Sequence, residues 1–258
     1  MGSVAALDWE GPRLKSLTAG LPDTKRELAA EIVGLLKADG YAYLKCRISA
    51  GGYEAVAGEI GTIISRTDVL IDKDSEIKQE RTRVVKGRPG RYRPEPVRFH
   101  TDNLRVDVMG MYCVRQDSVD GAILLLDTSD VSKWFTEEEL AVLGQTELWA
   151  PDLERAGKQE DFSEAAPVLR KRNGCYRVYY IPWLRREAYE DRALEMLNKF
   201  ADYVTRKEKA DLIRLPVQDG ECVFIDNHRM LHGRAAISEE SRRHMVRLYI
   251  ETSAFGFC

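Results

Sequence analysis

The chain has 258 residues, 44% of them apolar, which is enough for one substantial core, and β-rich domains of this size commonly fold as one unit. Its 39 basic and 42 acidic side chains leave a net charge of −3, which argues against a general affinity for nucleic acid or for an acidic membrane surface. No window approaches the roughly 18 consecutive apolar residues of a membrane helix, and the amino terminus lacks the basic start and apolar run of a secretory signal.

Thr24 and Glu27 have the spacing of a capping box, and Leu28, Ile32, Val33, Leu35 and Leu36 recur at helical spacing until Gly40, so a first amphipathic helix is expected there. Tyr41–Cys46 is rich in strand formers. A second helix is expected over 53–65, with Tyr53, Val56, Ile60, Ile63 and Ile64 facing inward. These segments read as scaffold and suggest no chemistry.

Between Lys78 and Arg98 eight basic residues meet only Glu80 and Glu95, and glycines and prolines break any regular element. This basic loop is either a solvated turn or a lid that draws an anionic substrate inward, with Arg93 and Arg98 as candidate contacts. Strands are expected over 106–114 and 122–126, joined by a polar turn, and a helical insertion over about 129–170 with a helix start at Thr136. Further on, 175–181 reads as a strand and 187–207 as a long helix. A strand over 212–217 is expected to turn at Asp219-Gly220 into 222–225 as a hairpin, and 245–250 is the last strand. Helices at the start, several short strands and a mid-chain insertion suit a single domain over 1–258, mainly β with flanking α-helices around a double-stranded β-helix, the cupin-like jelly-roll. Five widely spaced cysteines without a Cys-x-x-Cys pair indicate neither a disulfide framework nor a zinc knuckle, and a cytoplasmic location is expected.

The chemistry centres on Arg98-Phe-His-Thr-Asp102. If that segment is extended, His100 and Asp102 leave the same face of a strand. An imidazole and a carboxylate on one face are two ligands of a 2-His-1-carboxylate site, which holds Fe(II) and leaves open positions for other ligands. The chain has three other histidines, His228, His232 and His244, all near the carboxyl end, so a third ligand must come from there. In the last strand Arg243, Met245, Arg247 and Tyr249 alternate with His244, Val246, Leu248 and Ile250, which puts both arginines on one face. Turned inward, those guanidinium groups would require an anion.

His100-x-Asp102, a long gap, His232 and then Arg243 together resemble the iron(II)- and 2-oxoglutarate-dependent dioxygenases of the taurine dioxygenase and clavaminate synthase-like group, over a frame of about 98–250. The resemblance assigns His100, Asp102 and His232 to iron, Arg243 to the distal carboxylate of 2-oxoglutarate, and Arg247 to an anionic group of the substrate. His228 competes with His232, which is preferred for its offset to Arg243 and its Leu-His-Gly-Arg context. Many members carry a threonine beside that carboxylate, whereas this chain has Ile123, and Thr128 lies too far along to replace it. Asp102 argues against halogenation, because the related halogenases carry a small residue there.

The resemblance implies Fe(II), 2-oxoglutarate and O₂, hydroxylation of an unactivated C–H bond with release of succinate and CO₂, and a small anionic or amino-acid-like substrate rather than nucleic acid or membrane. The same centre also supports desaturation, cyclisation or epimerisation. The same three ligands could instead serve a zinc hydrolase, and a non-catalytic jelly-roll binding protein is the remaining alternative.

Overall fold

The computed structural model describes residues 6–7, 22–70, 95–148, 166–172, 174–183 and 189–253. The first helix, α1 (Pro22–Asp39), starts at Pro22, two residues before the expected cap. Proline has no N–H to leave unsatisfied and its fixed φ suits a first helical turn, so Thr24 lies inside the helix rather than capping it. Strand β2 (Tyr41–Leu44) follows and pairs in parallel with the short β1 (Ala6–Leu7).

The second helix, α2 (Ala50–Ile60), is capped by Ser49, whose hydroxyl accepts from the Gly52 N–H at 3.0 Å. It stops at Gly61, and Thr62–Leu70 forms strand β3 along the last strand of the chain. The expectation of a helix to residue 65 is therefore wrong at its end. Ile63 packs on the core outside the sheet and Ile64 on the core inside it, so these neighbours point to opposite faces, as only a strand allows.

Strands β4 (Val97–His100), β5 (Val108–Arg115) and β6 (Ile123–Asp127) come next. Among the described residues of the segment expected as a helical insertion, the helical parts are a 3₁₀ turn and α3 (Glu137–Gln145), which Thr136 and Glu139 open with a full capping box. Short strands β7 (Glu147–Leu148) and β8 (Ala166–Pro167) pair with each other, and β9 (Leu169–Arg172) forms a hairpin with β10 (Cys175–Val178). Residues 149–165 lie outside the described ones. Cys46, Cys113 and Cys222 are buried free thiols, but Cys175 is disulfide-bonded, a pairing not anticipated from the cysteine spacing.

The long helix α4 spans Asp191–Asp211, four residues later than expected, and is followed by β11 (Ile213–Leu215), β12 (Cys222–Asp226), β13 (Met230–Arg234) and β14 (His244–Glu251). The major sheet has the order β1-β2-β12-β5-β14-β3 and the minor sheet β11-β6-β13-β4. β11 and β12 thus belong to different sheets: the Asp219-Gly220 turn crosses between them and makes no hairpin. Leu215 and Val217 are held against the minor sheet and Val223 and Ile225 against the major one, all facing one shared interior.

Apolar side chains from both sheets, among them Met109, Leu125, Val223, Ile225 and Met245, fill the space between them. The outer face of the major sheet is covered by α1 and α2 and that of the minor sheet by α3 and α4. Sealing both outer faces leaves the mouth between the sheets as the way into a jelly-roll interior. No helix among the described residues is long and apolar enough to cross a membrane.

Candidate metal centre

β4 and β13 pair antiparallel with His100 opposite His232, which brings the two rings to 4.4 Å between centroids. The pairing then slips: Arg234 lies opposite Val97, so Arg98 and Phe99 together face Gly233. This β-bulge re-aims the strand. Val97 and His100 both face the cavity between the sheets, while Arg98 is exposed and borders a groove against α4. Arg98, expected at the substrate, is thus turned away, and Arg93 lies outside the described residues, as does most of the basic loop. A β-carbon on Gly233 would sit 2.7 Å from the Val97 carbonyl, so the bulge needs a glycine there.

Asp102 lies past the end of β4, not on the strand as expected, and a turn carries it back under the histidines. Its backbone N–H donates to Asn227 Oδ1 at 2.8 Å, and Asn227 Nδ2 donates to the carbonyls of Asn103 and Val106 at 3.1 and 2.9 Å. Asn227 is fully buried. Thr101 adds a two-way link, its N–H donating to the Tyr180 carbonyl and its hydroxyl accepting from the Tyr180 N–H, both at 2.9 Å. The Asp102 carboxylate then lies 3.9 Å from His100 Nε2 and 3.6 Å from His232 Nε2. One ligand atom from each of His100, Asp102 and His232 falls within 4.8 Å of the others.

The Nδ1 of His100 lies 2.8 Å from the Arg98 carbonyl oxygen, so it carries the proton and Nε2 presents its lone pair to the centre. Trp183 lies against that ring at a tilt of 54°, 5.2 Å between centroids. Tyr179, nearby, is pushed up to about 12 by burial and by the charge of Asp102.

Two arginines of β14 and the turn before it face the same cavity. Arg247 Nη1 donates to Asp102 Oδ2 at 3.3 Å, and its guanidinium lies over the Tyr249 ring at 4.6 Å. Arg243 is 2% exposed and donates through Nε to Gln116 Oε1 at 3.0 Å, with no carboxylate at ion-pair distance among the described residues. Burial, and after it the charge of Arg234, lower this guanidinium to about 10. The Gln116 amide is fixed by its own donation to the Val217 carbonyl at 2.6 Å. Gly121, at φ +90°, makes the room: a β-carbon there would meet Gln116 Oε1 at 2.8 Å.

His228 stands apart from this group. It is buried against Asp107, 3.7 Å away, and burial together with Arg177, Arg170 and Arg172 holds it well below the usual imidazole range. Thr128 donates its hydroxyl to the Arg229 carbonyl at 2.6 Å, and Ile123 lines the cavity beside Arg243. Asn227, Gln116 and Arg234 belong to the site and were not anticipated from the sequence. The Leu-His-Gly-Arg run was the only signal pointing toward Arg234.

A model of the taurine catabolism dioxygenase TauD, TfdA family matches residues 11–249. The chain belongs to that family. No curated protein sequence matches it. Among solved structures, an asparagine oxygenase in complex with Fe(II), 2S,3S-3-hydroxyasparagine and succinate superimposes with a TM-score of 0.67 at 16% identity, covering 96% of this chain and 94% of the other. The non-heme iron oxygenase OrfP in complex with Fe and alpha-ketoglutaric acid gives 0.65 at 14% identity, with 96% and 94% covered. OrfP with Fe, succinate and (3R,4R)-dihydroxy-L-Arg gives 0.64 at 15% identity, with 95% and 93% covered. The TauD, TfdA fold is thus shared nearly end to end, and the His-Asp-His group stands at the cavity between its two sheets.

Proposed function

We propose that this TauD, TfdA-family chain is an Fe(II)- and 2-oxoglutarate-dependent oxygenase that hydroxylates an unactivated C–H bond of a small, anionic, amino-acid-like substrate. The observation that carries this reading is the convergence of His100, Asp102 and His232 at the cavity that Arg243 and Arg247 also line. Two imidazoles and one carboxylate on one side, with open space on the other, fit non-haem Fe(II). Iron held there supplies, with 2-oxoglutarate and O₂, the oxidising power for C–H hydroxylation, while 2-oxoglutarate leaves as succinate and CO₂.

The side chains of this chain have separate tasks. His100 donates Nδ1–H to the Arg98 carbonyl, which holds its ring at one angle. Asn227 fixes the peptide that carries Asp102. Arg243, buried and turned by Gln116, offers the carboxylate of 2-oxoglutarate remote from the metal a charge-assisted bond. Arg247 shares the cavity with the metal ligands and would take an anionic group of the substrate, such as the carboxylate of an amino acid. Met109, Met111, Val69 and Ile123 give the cavity apolar walls that keep water from the reacting centre. The hydroxylated asparagine and arginine bound to the neighbouring structures support an amino acid or a derivative as the substrate class.

The test is an anaerobic titration of metal-free protein with Fe(II) and then 2-oxoglutarate, followed by the visible charge-transfer band. Aerobic assays with free and derivatised amino acids then read succinate release and a product heavier by one oxygen. A band with substrate-dependent succinate supports the proposal. Bound metal without a band would overturn it.

A further inference from the structure

The cavity holds a buried guanidinium beyond the two arginines of the last strand. Arg234 follows His232 by two residues on β13, and strand alternation puts both side chains on the inner face. It is 6% exposed and lines the same cavity as His100, His232 and Arg243. Its cross-strand partner on β6 is Ile123. Side chains of directly opposed residues leave the same face of a sheet with β-carbons about 5 Å apart. Ile123 stands where the family resemblance leads one to expect a threonine hydroxyl, and a branched alkyl group cannot donate a hydrogen bond. Arg234 brings N–H donors to that spot from the adjoining strand.

The surroundings suit an anion. Arg234 comes from the minor sheet and Arg243 from the turn before β14 of the major sheet, and both line one cavity, near enough for the charge of Arg234 to weigh on Arg243. Arg234 donates to the carbonyls of Ala235 and Glu95 at 3.1 and 3.0 Å. Those bonds hold its plane in place, and the carboxylates of Asp117, Glu95 and Asp120 act on its charge from farther off. Two buried guanidinium groups at one cavity offer a carboxylate there charge-assisted donors from both sides.

We propose that Arg234 is a second binding residue for the distal carboxylate of 2-oxoglutarate, sharing it with Arg243 and supplying the donor that Ile123 lacks. The inference rests on the reading that 2-oxoglutarate is the co-substrate. It makes the seat selective for a dicarboxylate: pyruvate carries the metal-binding end alone and gains nothing from either arginine.

The test uses Fe(II)-loaded full-length protein under anaerobic conditions, with the charge-transfer band titrated separately with 2-oxoglutarate and with pyruvate. Arg234→Met should weaken 2-oxoglutarate by roughly 10- to 100-fold, as loss of a charge-assisted bond does, and leave the pyruvate constant unchanged. Adding Ile123→Thr to that variant should recover part of the loss. Arg234→Lys, which keeps the charge and stem but not the planar fork, should show a smaller loss for 2-oxoglutarate alone and serves if the methionine variant does not fold. Unchanged 2-oxoglutarate affinity in these variants would overturn the proposal. So would equal weakening of both oxoacids, which would make Arg234 a purely structural residue. Absence of any band in the wild-type protein would instead sink the co-substrate reading beneath it.

Discussion

Asn227→Ala is the substitution that most directly probes how the centre is held. The side chain makes three hydrogen bonds, from Asp102 N–H at 2.8 Å and to the Asn103 and Val106 carbonyls at 3.1 and 2.9 Å, in a site with no solvent exposure. Alanine takes these bonds from the buried Asp102 N–H and Val106 carbonyl, while the Asn103 carbonyl keeps the Val106 N–H at 3.1 Å. Each such group costs about 1–3 kcal/mol, and because neighbouring losses are not additive and water can enter the gap, about 3 kcal/mol of stability is expected to go. The same loss frees the peptide that aims Asp102, and partners of metal ligands typically contribute about 10- to 100-fold in metal affinity. Urea unfolding of the metal-free protein reads the first effect, and anaerobic chelator competition for Fe(II) reads the second. Asn227→Asp separates them: its oxygen still accepts from Asp102 N–H, so iron affinity falls less, while the lost NH₂ and the added charge lower stability as much. An alanine variant within about 0.5 kcal/mol of wild type and with unchanged iron affinity would refute the reasoning.

His232→Ala should abolish stoichiometric Fe(II) binding while His228→Gln retains it, since His228 faces Asp107 rather than the centre; iron uptake by His232→Ala would reverse the assignment. Gly233→Ala places a methyl 2.7 Å from the Val97 carbonyl and should cost about 1–3 kcal/mol in urea unfolding with weakened iron binding, because the displaced strand carries His100. Burial raises Asp226 to about 6, so the fold favours its neutral form. Its contribution to stability is present in full below the usual carboxylate range and is lost as pH rises through about 6. Asp226→Asn, whose oxygen can still accept from the His228 and Arg229 N–H groups, should remove that dependence and be more stable than wild type at pH 8 by about 3 kcal/mol. Unfolding curves of both proteins across pH 4–8 that run parallel would refute this.

The residues that meet at the centre were legible where chemistry restricts the choice. With only four histidines in the chain, a 2-His-1-carboxylate site had few possible members; Arg243 and Arg247 do share the cavity, but Arg243 reaches it from the turn before β14 and not by strand alternation. What escaped depends on distant pairing. The β4 bulge cannot be read from Val-Arg-Phe-His, because the extra residue exists only relative to β13; strict alternation would have left Arg98 beside His100. The end of α2 was missed for a similar reason: the isoleucines at 60, 63 and 64 fit helical spacing, and their pairing with β14 decided otherwise. Asp219-Gly220 resembles a hairpin turn locally, yet the two strands it joins find their partners in different sheets. Asn227 and Gln116 act on groups more than a hundred positions away in the chain, and neither residue type at those positions carries a local signature.

The two sheets contribute unlike parts to the cavity, and that division bears on the order of binding. The minor sheet supplies the histidines and Arg234, and the strand β14 with the turn before it supplies Arg243 and Arg247, so cations line both walls around the Asp102 carboxylate. Fe(II) alone adds positive charge to a space already rich in it. A dicarboxylate alone would quench Arg234 and Arg243 and lack the metal that chelates its other end. Each therefore lowers the cost of the other, and linkage makes the effect reciprocal: whatever factor 2-oxoglutarate adds to iron affinity, iron adds to 2-oxoglutarate affinity. Arg247 enters the same balance, since in the described state it donates to Asp102. A substrate anion that drew Arg247 toward itself would leave the Asp102 carboxylate more electron-rich toward the metal.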